Sequence, residues 1–178
     1  MGDNNKMITN LFSVPVLIGN IDVDKININN EKFETKWMSS TKTSHGFKNT
    51  VDIKSQEYMG EKFALLLQKL LKEKFKLKLI NIWENIYDKN DFQEPHVHGG
   101  SHFSFIIYKK VNESQTVFFH PGKTAIQCLN TINYFETEQM LPLREGQFVI
   151  FPSFLEHMVV KNNNQITIAG NLLVEFVQ

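Results

Sequence analysis

The spacing of apolar residues changes once along this chain, and that change limits the folds open to it. Over residues 60–75, Phe63, Leu66, Leu67, Leu70, Leu71 and Phe75 recur at intervals of three and four, with Lys62, Lys69, Lys72 and Lys74 between them. Such spacing predicts an amphipathic helix with one apolar side. Beyond it the period drops to two. Strand-like runs follow at 77–88, 101–110, 115–120, 146–151, 156–161 and 165–177, divided by connections rich in Gly, Pro and Asn. One helix followed by many short strands predicts a mainly β domain, antiparallel in its C-terminal two thirds, with the helix laid against one side. Upstream, "LFSVPVLIGNIDV" (11–23) predicts an extended segment, 24–50 an irregular stretch with at most one short helix, and 1–10 a flexible polar tail. The connection from 121 to 142 is long enough to be a functional loop rather than a domain boundary.

At 178 residues the chain has the size of one domain, expected to span 1–178. Its 42% hydrophobic content and fifteen phenylalanines argue for a folded core and against disorder. Nineteen basic and nineteen acidic residues cancel, and no stretch gathers lysine or arginine into a stripe that could follow phosphates, so nucleic acid is not an expected partner. The apolar stretch near the start is broken by Pro15 and lacks a charged leader, and no run approaches the ~18 apolar residues a membrane span needs. A soluble, cytoplasmic protein without a membrane partner is expected. Cys128 is the only cysteine, which excludes an internal disulfide and a thiolate zinc site, and it reads as a small loop residue. Arg144 is the only arginine, so bidentate guanidinium chemistry has a single candidate.

Three of the six histidines fall within "PHVHGGSH" (95–102). Residues two apart on an extended chain point the same way, so His96 and His98 can aim both imidazoles into one space. Neutral imidazole is a common ligand for first-row transition metals. A third can come from "FPSFLEHMVV", where His157 opens an apolar strand and Glu156 must face the other side. A lone histidine on such a strand is usually a hydrogen-bonded core residue, but a His-x-His pair on another strand turns His157 into a third ligand candidate. Asp91 and Glu94 lie close by in sequence but before the turn, and are poorer candidates. His102, Ser104, Ile106, Tyr108 and Lys110 share one parity and are expected to face the pocket, with His102 at its wall or edge; His120 reads as a turn residue and His45 as surface or loop. Residues 103–108 and 148–151 are expected to line a dry pocket, and Trp83 and Phe154 to pack the core. From the residues alone this is a metal-binding β barrel, with or without catalysis.

The wording around the histidines is more specific. A Trp- and Asn-bearing strand leads to a Gln and His-x-His in "NIWENIYDKNDFQEPHVHGGSHFSFIIYKK"; "VFFHPG", "EGQFVIFPSFLEHMVV" and "NNNQITIAGNLL" follow in order. Over residues 79–174 the chain resembles a family of Fe(II) and 2-oxoglutarate dependent oxygenases common in bacteria and marine phages, most specifically over 146–157. The resemblance implies a double-stranded β-helix, a jelly roll of cupin-like type, with Fe(II) held between its sheets by His96, His98 and His157 as metal ligands and catalytic residues. It further implies 2-oxoglutarate as cosubstrate, molecular oxygen as oxidant, and hydroxylation of a small-molecule or peptide substrate, with specificity set by 36–58 and 121–142. A homodimer is within the expectation.

Two departures stand out. The middle ligand position, a carboxylate in the wider class, is His98. The family's last strand typically opens with Glu-Arg, whose guanidinium would grip the distal carboxylate of 2-oxoglutarate, and here those positions are Asn164 and Gln165. The residues expected to hold the cosubstrate instead are Lys110 or its neighbour Lys109, with Tyr108, Ser104 and Gln165. The competing readings are a non-catalytic metal-binding β-barrel module and a cupin-type metal enzyme that does not use 2-oxoglutarate.

Overall fold

A computed structural model describes residues 13–161 and 164–177, so the expected tail at 1–10 lies outside the described residues. The strands before the helix are β1 (Leu17–Asn20), β2 (Ile28–Asn30), β3 (Glu34–Thr35), β4 (Lys42–Thr43) and β5 (Asn49–Val51). Helix α1 (Ile53–Leu70) leads into β6 (Phe75–Tyr87), β7 (Gln93–His96), β8 (Phe103–Lys110) and β9 (Thr116–Phe119). Short helix α2 (Lys123–Cys128) precedes β10 (Glu138–Met140), β11 (Gln147–Pro152), β12 (His157–Val159) and β13 (Gln165–Phe176). They form a seven-stranded sheet ordered β1-β11-β8-β13-β6-β4-β3, a four-stranded sheet ordered β10-β9-β12-β7, and a separate β2-β5 pair, with every pairing antiparallel. The expected double-stranded β-helix is this pair of facing sheets.

The helix starts seven residues earlier than the spacing suggests. Asp52 caps it by accepting the Ser55 amide at 2.8 Å, and the buried row Met59, Phe63 and Leu67 at intervals of four begins above the first leucine pair. It also ends earlier: Leu71 and Phe75 belong to the turn and to β6, yet still pack on the same core. The stretch 24–50, expected to be irregular, contains four short strands and a 3-10 turn at Val23–Lys25.

Alternation on the large sheet sorts its side chains cleanly. Phe105, Ile107, Phe148, Ile150, Ile168 and Leu172 face α1 in one apolar core. Ile106, Tyr108, Val149 and Phe151 face the opposite way, toward Phe118 and Leu155 of the small-sheet side. The two runs expected to line a pocket therefore divide, every second residue serving the helix instead. On β6 the alternation is interrupted. Asn81 takes a left-handed φ of 50°, and the pairing with β13 shifts between Ala169 and Asn171. This bulge lets Ile82 and Leu79 both pack on the helix side while Trp83, Asn85 and Tyr87 turn inward. Gly170 faces α1's side where a Cβ would lie 2.6 Å from the Phe105 ring, so only glycine fits there.

Candidate metal centre

β7 carries His96 at its end, β12 opens on His157, and the two residues are register partners. His98 lies past the strand, held in place when its backbone N–H donates to the Ser153 carbonyl at 3.0 Å. Two-residue alternation is thus not what aims it, although the expected convergence holds. His96, His98 and His157 each offer one ring nitrogen, and these nitrogens all lie within 4.8 Å of one another. Ring centroids are 5.3 Å apart for His96–His98, 4.2 Å for His96–His157 and 5.1 Å for His98–His157.

Each ring is fixed by its Nδ1. The Nδ1–H of His96 donates to the Glu94 carbonyl (2.8 Å), that of His157 to the Leu155 carbonyl (3.0 Å), and that of His98 to Asn171 Oδ1 (2.7 Å). All three therefore keep a lone pair on Nε2, the tautomer a metal ligand requires. Burial holds them neutral: it lowers His96 to about 4, lowers His98 against the Asn171 hydrogen bond, and takes His157 well below its usual value with help from the other two imidazoles. Gln93 donates its amide, at 3.1 Å, to the His96 Nε2 lone pair that a metal would take in its place, and accepts from the Tyr87 hydroxyl at 2.8 Å.

Serines brace the arrangement. Ser153 Oγ is bonded to Ser101 Oγ (2.8 Å) and Ser104 Oγ (2.9 Å), and Ser104 donates to the same Asn171 oxygen that His98 uses (2.9 Å). Ser104 faces the interior as its parity predicts, acting through Asn171 on His98. Tyr108 is buried there too, its hydroxyl donating to Thr116 at 3.0 Å. Gln165 is 1% exposed and neither atom of its amide has a partner. Lys110 is exposed at the end of β8, and Lys109 lies on the other face in a 2.7 Å ion pair with Glu84.

The other histidines behave differently. His102 does not line the pocket: its Nδ1 accepts the Val174 amide at 3.0 Å, pinning the end of β13. His120 is the expected turn residue, accepting the Gly122 amide at 2.9 Å. His45 is in a loop, as expected, but edge-on to Trp83 at 4.7 Å with the Lys36 ammonium 2.9 Å from its Nδ1. Asp91 is engaged with Ser40 and the Asp88 amide, and Glu94 with the Met38 amide. Trp83 is buried as expected, though against His98 at 5.5 Å; Phe154 is 64% exposed and packs no core, because it sits in the turn between β11 and β12.

Sequence reasoning missed Trp37, which stacks on His96 at 5.8 Å. Residues 38–41 are tied to β7 and the residues just before it: Ser39 and Thr41 donate to the Phe92 carbonyl at 2.7 and 3.1 Å, Ser40 to Asp91, and the Met38 amide to Glu94. The run "SSTKTS" is the one signal that could have suggested it, since Ser and Thr side chains often pair with backbone. The 121–142 connection instead borders an apolar cavity of about 1010 Å³ lined by Val14, Val16, Phe118, Ile126, Leu129 and Leu141. It borders His157 through Phe118, whose ring is 5.9 Å from the imidazole, and through Leu155, whose carbonyl accepts from His157 Nδ1.

A model of the 2OG-Fe(II) oxygenase family matches residues 81–171. The fold is similar to that of a 2OG-Fe(II) oxygenase family oxidoreductase from Burkholderia pseudomallei, with a TM-score of 0.57 and 10% identity over 80% of this chain and 72% of that one. It is also similar to a prolyl-4-hydroxylase from Pseudomonas putida (TM-score 0.53, 11% identity, 93% of this chain and 94% of that one). A third similar structure is HygX from Streptomyces hygroscopicus with nickel, 2-oxoglutarate and hygromycin B bound (TM-score 0.52, 8% identity, 89% and 82%). No curated protein matches the sequence. Among the described residues no helix is long and apolar enough to cross a membrane.

Proposed function

The chain belongs to the 2OG-Fe(II) oxygenase family, whose cofactor is iron and whose cosubstrate is 2-oxoglutarate, and from that membership we propose a dioxygenase that hydroxylates a small-molecule or peptide substrate with His96, His98 and His157 as its metal ligands. The observation that carries this reading is the convergence of three imidazoles, His157 buried and His96 and His98 half-buried, each with its Nδ1–H committed to an acceptor. That donor set fits a divalent first-row metal. Three neutral ligands leave the ion's charge uncompensated, which suits an anionic chelating cosubstrate on the remaining positions.

Iron bound there supplies oxygen activation coupled to decarboxylation of the 2-oxo acid. The chain's own residues hold and shield it. Asn171, Ser104 and Ser153 fix the His98 ring, and the Glu94 and Leu155 carbonyls fix the other two. Phe151 packs on His157 at 4.7 Å, Trp83 on His98 at 5.5 Å and Trp37 on His96 at 5.8 Å, while His45 lies edge-on to Trp83. Substrate specificity then falls to the 36–58 segment, which reaches the histidines directly. Of the residues suggested for cosubstrate binding, Ser104, Tyr108 and Gln165 are inside the barrel and Lys110 is not.

Succinate formation tests the reading. Protein loaded anaerobically with Fe(II) and 2-oxoglutarate, then exposed to oxygen, is expected to form succinate, and a His157→Ala variant to lose it. Equal succinate from both proteins would overturn the ligand assignment.

A further inference from the structure

The inner face of β13 carries a buried group that the metal centre does not use. Gln165 pairs in register with Tyr87, and Thr167 pairs with Asn85 on one side and Tyr108 on the other, so all five share the interior. Tyr87 reaches the metal centre through Gln93 and His96. Both amide atoms of Gln165 and the side-chain oxygen of Asn85 are buried without a hydrogen-bond partner. Gln165 and Asn85 are diagonal neighbours on paired strands, close enough for their side chains to meet one ligand group.

What that group can be follows from counting. However its amide is turned, Gln165 presents one donor end and one acceptor end. The lysines nearest in register are engaged or exposed: Lys109 is paired with Glu84 on the other face, Lys42 with Asp88 at the surface, and Lys110 is exposed. Burial raises both the Tyr87 and Tyr108 phenols. A carboxylate placed here would satisfy the amide nitrogen alone, leave two oxygens facing a negative charge, and be buried without a counter-ion. A primary carboxamide offers one carbonyl and two N–H bonds, which match the three unpartnered atoms.

We propose that Gln165 and Asn85 recognise the distal end of the 2-oxo acid, and that this end is favoured as an uncharged carboxamide over a carboxylate. The proposal rests on the functional reading above and concerns only the far end of the cosubstrate.

The test is calorimetric binding to the full chain loaded with redox-inert Zn(II), using 2-oxoglutarate, its distal carboxamide 2-oxoglutaramate, and 2-oxobutyrate, which lacks a distal polar group. The carboxamide is expected to bind tighter than 2-oxoglutarate by about tenfold, the worth of one or two net hydrogen bonds. A Gln165→Arg variant is expected to reverse the order, with its melting temperature checking that it folds. Wild-type protein that binds 2-oxoglutarate as tightly as the carboxamide, or more tightly, would overturn the proposal and leave the oxygenase reading standing. Metal-loaded protein that binds none of the three would overturn both.

Discussion

The two faces of the seven-stranded sheet are made by the same strands and differ in almost every physical respect. Toward α1, Phe105, Ile107, Phe148, Ile150, Ile168 and Leu172 form a dry layer against Met59, Phe63 and Leu67, all essentially without exposure. Toward the small sheet, the alternate residues include Ser104, Tyr108, Gln165, Thr167 and Asn171, equally buried but polar. The first face gains stability from area removed from water. The second carries polar groups that cost stability unless paired, and it pairs most of them around three histidines. One face therefore supplies most of the stability and the other holds the candidate metal site, so outer-face substitutions should leave metal binding unchanged and inner-face ones should cost less stability than those on the outer face.

The largest expected effect is on stability. Phe105→Ala opens a cavity under Phe63, whose ring is 4.8 Å away, and should cost about 3–5 kcal/mol by denaturant unfolding while the folded protein still binds one metal. Metal binding lost at temperatures where the variant stays folded would break the separation. On the inner face, Asn171→Ala removes the acceptor that orients His98 and should weaken metal affinity about 10- to 100-fold, read by competition with a chelator, with a smaller loss of stability than Phe105→Ala.

The third effect is acid sensitivity. His96, His98 and His157 have lowered values in the folded protein, so they bind protons more readily when unfolded. Their neutral burial supports the fold above the ordinary histidine value of about 6.5, and that support is lost as pH falls toward the folded values, about 4 for His96. Metal-free protein should therefore melt at progressively lower temperature from pH 6.5 downward, and His96→Gln should flatten that slope. The smallest effect belongs to Lys110→Ala. The residue is exposed, so stability should change by less than about 0.5 kcal/mol and 2-oxo acid binding by less than about twofold.

The outer face was largely legible from the sequence, because burial in a helix-covered sheet writes itself as spacing: the helical leucines and the period-two runs led to α1 and to six of the strands. The histidine set was legible as well, from His-x-His and the "FPSFLEH" block, and the three residues do come together. What stayed hidden depends on contacts without periodicity. Asp52 starts α1 through its bonds to Ser55, the bulge at Asn81 rotates β6 between faces, and Ser39, Ser40 and Thr41 tie their segment through hydroxyls to Asp91 and Phe92 just before β7, with Trp37 stacked on His96. Parity places His102 at the pocket, but β8 begins one residue later and its ring serves the neighbouring strand.

Anaerobic Fe(II) titration of the wild-type protein beside His157→Ala and His98→Ala, with circular dichroism confirming that each is folded, tests the central claim most directly. One Fe(II) per wild-type chain is expected, with affinity lowered at least tenfold in each variant. Folded variants that retain wild-type affinity and stoichiometry would contradict it.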